Sequence, residues 1–196
     1  MTTTSERSRS REHMGRAEMR GRAAGVFLLS YFSLAWAGWG LSGAARVVAT
    51  PVLIVTVLLC VATVFGGVRM FRAGSALPAE PGRAGVNRQF GLVVAAEFVG
   101  IGIVAGVLGA TGHALWIPAV VCAGVGFHFL PLARLFHLRM YYVTGWLLVL
   151  IAVATVVVVP LAQASEALWR MVPAFGAAIV LFVTTLALLH SRRRAG

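Results

Sequence analysis

Glu97 is the only acidic residue inside an apolar stretch of this chain, and His128 stands inside the apolar stretch that follows. A carboxylate beside an imidazole can handle a proton, because a histidine near its ordinary pKa changes charge in the physiological range. The same two groups can also do no more than bind each other and lock two helices. Near the centre of a bilayer a charged side chain costs roughly 2.5 to 3.5 kcal/mol, so an acid placed there faces protein or a water-filled cavity and takes a partner. Glu97 lies nine residues beyond Arg88, about 13 Å of helix, and His128 lies six before Arg134, about 9 Å. In antiparallel neighbours the two fall at similar depth, which makes Glu97 and His128 a candidate pair.

The surroundings of His128 suit a buried ring. Gly124, four residues earlier on the same helix face, leaves room for an approaching side chain or water. Pro131 removes the backbone donor that the Phe127 carbonyl would receive, and a kink there would open the cytoplasmic end of the segment. Arg134, His137, Arg139, Tyr141 and Tyr142 follow, a cluster able to contact an anionic group or lipid headgroup. A metal site is short of ligands: His113 and His190 fall on opposite sides of the spans, leaving Glu97, His128 and at most His137, and His128 and His137, nine apart, share no helix face. No cofactor is expected.

The elements that must position these residues are membrane helices. The chain has 196 residues, 59% hydrophobic and 12% charged, too apolar for a surface that faces water. Charges fall in clusters separated by runs long enough to cross about 30 Å of hydrocarbon. Six spans are expected, at about 24–44, 47–68, 90–109, 114–133, 143–161 and 171–190, in an all-α polytopic membrane helix bundle. They occupy a 23–190 transmembrane domain between a basic tail at 1–22, expected to be disordered, and a second at 191–196. Small residues at 42–44 resemble a signal cleavage site, but the apolar core before them is too long for a signal and the first span reads as retained.

All 17 basic residues are arginine, with neither lysine nor aspartate present. With abundant Ala, Gly and Val, this suggests a GC-rich coding sequence and a bacterial inner (plasma) membrane. Only Arg46 and Arg170 fall on one side of the spans, leaving fifteen of the 17 arginines on the other. By the positive-inside rule both termini are cytoplasmic. The expected partners are the bilayer, with anionic headgroups at the cytoplasmic face, and either a second copy or a membrane partner protein. The basic tail lacks interleaved aromatics, so nucleic acid is not an expected partner despite the net charge of +11.

Outer connections are short, and the segment 69–89, rich in Pro and Gly, is expected as a flexible inner loop. Pro51, Pro118 and Pro173 stand near the outer ends of spans two, four and six, and "ALWIP" (114 to 118) resembles "ALWRMVP" (167 to 173). This is either a thrice-repeated hairpin or chance, since proline in a first helical turn costs little. Gly102 and Gly106, Ala105 and Gly109, with Ala123, Gly124 and Gly126 opposite, predict a tight hairpin between spans three and four. Trp116 and Trp169 suit the membrane interface, while Trp36 and Trp39 lie deeper, in packing or lining a pocket. Cys60 and Cys122 lie within spans, where a small apolar role is expected.

The stretch "GFHFLPLARLF" (126 to 136) resembles a G-x-H-F-x-P-L-A-x-x-F signature in uncharacterised bacterial multi-pass membrane proteins, families defined only as domains of unknown function. The resemblance spans the third and fourth segments and the start of the fifth. It implies that His128 and Pro131 matter and names no activity. Ser30, Ser33 and Thr144 are hydroxyls within spans, yet no G-x-S-x-G, H-E-x-x-H or C-x-x-C motif accompanies them, and a nucleotide motif is absent. Two functional readings follow. Either a solute or protons move through the polar site between spans three and four, or the chain is a non-transporting sensor, stress-response or accessory protein in which Glu97 and His128 lock helices.

Overall fold

The computed structural model describes residues 16–42, 44–76, 84–163 and 165–191. Six α-helices run through them: α1 (Arg16–Leu41), α2 (Arg46–Ser75), α3 (Ala84–Ala110), α4 (Ile117–Phe136), α5 (Arg139–Leu161) and α6 (Glu166–Ser191). A short 3-10 turn at Ala114–Trp116 leads into α4, and no strand occurs among the described residues. All six helices are long and apolar enough to cross a membrane. Such helices suit an apolar solvent, since a helix satisfies its own backbone donors and acceptors.

The helices outrun the apolar segments. α2 continues to Ser75 and α3 begins at Ala84, so most of the 69–89 connection is helix rather than loop; residues 77–83 lie outside the described part. A helix once formed extends cheaply through good formers such as Arg, Met and Ala, and Arg72 in the last turn of α2 suits the negative end of its dipole. Tertiary contact holds the extension too. The Arg20 guanidinium lies 4.6 Å from the centroid of the Phe71 ring, and Met19 packs over Gly74. Of the expected 1–22 tail, the residues from Arg16 onward are helical, and 1–15 lie outside the described residues.

Side-chain contacts fix which ends meet. Gly25 near the start of α1 lies against Tyr141 at the start of α5 and Leu188 at the end of α6, while Phe90 near the start of α3 stacks edge-on with Phe136 at the end of α4. At the opposite end Gly40 of α1 meets Ala174 and Phe175 of α6. One end therefore gathers Arg20, Arg22, Arg69, Arg72, Arg88, Arg134 and Arg139 and is called the basic end; Arg46 and Arg170 mark the far end.

The most extensive contacts lie between α4 and α5, α1 and α6, and α1 and α2, in the spatial order α3, α4, α5, α6, α1, α2. The buried cluster draws on α1 (Val26, Leu29, Trp36), α4 (Cys122, Phe129, Leu132), α5 (Leu148, Ala152) and α6 (Ala177, Leu181). Four helices thus make the core, and α2 and α3 flank it. Gly126 and Gly145 set the α4–α5 distance: a Cβ on Gly126 would sit 2.8 Å from the Gly145 carbonyl oxygen, and one on Gly145 would sit 2.6 Å from that of Gly126.

The expected small-residue seam between α3 and α4 is only half made. Gly124 receives Ile101 of α3, but Gly102, Gly106 and Gly109 have open space where a Cβ would stand. The close approach of α4 is to α5 instead, because Gly126 faces that way and α3 offers Ile101 to Gly124 rather than its own glycines. Trp36 is 5% exposed and sits in the core with its ring centroid 5.3 Å from that of Trp39, in packing rather than lining a pocket. Trp116 and Trp169 meet at the far end with centroids 5.1 Å apart.

Candidate functional site

α3 and α4 are joined through Thr111, Gly112 and His113. Gly112 has φ +80°, a left-handed conformation that lets the chain reverse, and the His113 N–H donates to the Leu108 carbonyl at 2.8 Å. The tight turn makes α3 and α4 antiparallel neighbours, and their registers bring Glu97 and His128 together. His128 Nδ1 lies 3.1 Å from Glu97 Oε2, with the two side chains 10% and 14% exposed. The distance is within ion-pair range, but Nδ1 reaches no hydrogen-bond alignment, so the contact is a close juxtaposition rather than a well-directed hydrogen bond. The Val93 backbone, one turn before Glu97, supplies a further polar group beside the ring. Among the described residues no third histidine, cysteine or carboxylate converges on the pair.

Toward the far end the two helices that carry the pair are apolar. From Phe98 to Ala110 α3 carries no polar side chain, and from Ile117 to Phe127 α4 carries only Cys122, whose thiol donates to the Leu148 carbonyl of α5 at 3.4 Å. Toward the basic end a groove of about 890 Å³ opens between α3 and α4. Its walls include Leu92, Val93, Phe127 and Leu130, and Gln89, Arg134 and His137 supply its polar groups. Glu97 and His128 are not part of its lining. A second, smaller cavity of about 320 Å³, between α1 and α2 at the far end, has no charged side chain in its walls.

Pro131 does not break α4, which continues to Phe136 with Pro131 exposed on the groove. Beyond Pro131 the helix ends in a tight cap. The His137 N–H donates to the Arg134 carbonyl at 3.4 Å and the Leu138 N–H to that of Ala133 at 3.1 Å, with His137 at φ 54°. This double bond pattern ends many helices, normally with glycine at the left-handed position.

The cluster read as an anion contact divides. Arg134 and His137 line the groove, and Arg139 is exposed at the start of α5. Tyr141 turns inward: it is 6% exposed, its ring lies 5.4 Å from Phe129 and 6.5 Å from Phe136 by centroids, and its hydroxyl abuts Gly25. Tyr142 is half-buried against the core. Tyr141 belongs to packing, because α5 is wedged between α4 and α6 at this level and apolar rings are drawn to that seam.

Buried hydroxyls form links that spacing alone does not reveal. Ser30 of α1 and Thr63 of α2 share a hydrogen bond at 2.8 Å, Thr144 of α5 and Thr184 of α6 share one at 2.7 Å, and the Cys60 thiol donates to the Ser30 carbonyl at 3.3 Å. They bond across helix pairs, and none stands beside a base that could activate it. The signal available in sequence was their position within apolar runs, where a hydroxyl seeks a partner on its own or a neighbouring helix.

No protein-family model matches the chain, and no curated protein or solved structure matches it either.

Proposed function

We propose that this chain is a multi-pass membrane protein of the accessory or sensor kind, without a transport path of its own, in which Glu97 and His128 clamp α3 to the bundle. The carrying observation is the 3.1 Å contact at the place where α3 touches the core. Among the other helices α3 has substantial contact with α4 alone, and its Gly102–Gly106 face is open. Lipid tails give apolar helices no hydrophobic reason to associate, so a polar pair and the Ile101–Gly124 contact weigh heavily in docking this flanking helix. The apolar surface on the far-end side of the pair supports a lock over a conduit, since a proton relay needs polar groups on both sides of its carrier. The basic end is then cytoplasmic, by the excess of arginine there.

Replacement of the two partners tests the reading. His128→Ala leaves an acid alone in apolar surroundings and is expected to cost about 2 to 3 kcal/mol of stability in detergent, whereas Glu97→Gln keeps a polar partner and costs about 1 kcal/mol. The double variant should lie near Glu97→Gln alone, a non-additivity that a double-mutant cycle reads directly. Proteoliposomes of the unaltered chain should show no pH-driven flux above that of empty vesicles. A flux lost in Glu97→Gln with stability intact would establish transport and overturn the lock.

A further inference from the structure

We propose that the groove between α3 and α4 at the basic end is a binding site for an anionic phospholipid of the adjoining leaflet, its acyl chain against Leu92, Leu130 and Pro131 and its phosphate at Arg134 and His137. The site goes beyond the helix lock and does not depend on it, because neither Glu97 nor His128 contributes to the lining.

Position is the first argument. The groove lies between a flanking helix and the core, on the surface that faces lipid tails in a membrane, and about 890 Å³ is within the roughly 300 to 1,000 Å³ of small-molecule sites. Chemistry is the second. Along α3 the lining changes from Leu92 and Val93 to Gln89, and along α4 from Leu130 and Pro131 to Arg134 and His137, so both walls turn from apolar to polar toward the same end. That profile matches one molecule with an apolar chain and a charged head. No carboxylate lines the groove, and Arg134 forms no ion pair among the described residues, which leaves its guanidinium for a phosphate.

The backbone at His137 is strained as well. A left-handed conformation is unfavourable for a residue with a side chain, and glycine would occupy position 137 without that cost. Histidine there keeps a ring at the mouth of the groove despite its φ of 54°, and strain held in this way marks ligand contacts in other proteins.

The test uses the full chain, purified and delipidated in neutral detergent, and titrated with phosphatidylglycerol or with phosphatidylcholine of the same acyl composition. Native mass spectrometry reads bound lipid, and thermal unfolding reads the stabilisation. Phosphatidylglycerol is expected to bind and raise the melting temperature, with phosphatidylcholine markedly weaker. Arg134→Gln should weaken phosphatidylglycerol binding about fivefold, the worth of one cation near a charged headgroup, and leave the lipid-free melting temperature unchanged. His137→Asn, which tolerates the left-handed conformation, should weaken it as well, and Leu130→Trp should exclude the chain. Equal binding of the two lipids, or undiminished binding in both Arg134→Gln and His137→Asn, would overturn the site. So would full competition by soluble glycerol phosphate, which would reduce it to a simple anion contact, or a dimer dissociated by Leu130→Trp, which would assign the groove to a second copy.

Discussion

His137 shows how much one residue can reveal once its backbone is known. Its φ of 54° closes α4 through bonds to Ala133 and Arg134, a role that glycine fills at less cost. His137→Gly is therefore expected to raise stability in lipid-free detergent by about 1 kcal/mol, read as a higher melting temperature. The same variant should lose affinity for phosphatidylglycerol, so stability and lipid binding would move in opposite directions. Glu97 and His128 are the opposite case, since their types and depths made them legible as a pair in sequence. What spacing could not supply was the quality of the contact, with an ion-pair distance, no hydrogen-bond alignment and the Val93 backbone alongside.

At the scale of elements, identical residues have unequal roles. Gly145 and Gly106 are both helical glycines in apolar surroundings, but the Gly145 site has a carbonyl oxygen 2.6 Å from the Cβ position while the Gly106 site is empty to 4 Å. Gly145→Ala should push α5 from α4 and cost about 1 to 3 kcal/mol. Gly106→Ala should be neutral or stabilise by up to about 1 kcal/mol, as helix propensity dictates where nothing is displaced. Thermal unfolding of the two variants side by side checks the difference, and a loss at Gly106 matching that at Gly145 would mean that the open face of α3 is covered in the purified protein. Sequence pattern pointed to the α3 glycines, because the small-residue motif of α3 is the more regular. Which neighbour a glycine faces is set by helix rotation, and an all-round apolar helix carries no hydrophobic stripe from which rotation could be read.

For the whole molecule, four helices form the core and two flank it. α3 has no buried residue in its most apolar stretch, whereas α1 and α6 are 44% buried in theirs. Local opening should follow that order, with backbone hydrogen exchange in α3 faster than in α1 and α6, and faster still in His128→Ala. Orientation rests on the arginine distribution. Fluorescent-protein fusions at either terminus should fluoresce and periplasmic phosphatase fusions there should stay inactive; the reverse result would invert the assignment of the basic end.

The amino-acid sequence by itself determined that the chain is helical, that six segments are long and apolar enough to cross a membrane, and that Glu97 and His128 stand at similar depths. Each of these depends on length, composition or distance along a helix, quantities that a linear chain carries. Tertiary structure alone decided the spatial order of the helices, the pairing of Gly126 with Gly145, the inward turn of Tyr141 and the groove that collects Gln89, Arg134 and His137. In water a polar face would have shown which side of each helix points out. Here the core and the outward faces of the helices are both apolar, so the faces are chosen by shape and by a few polar contacts that become visible only when the helices are side by side.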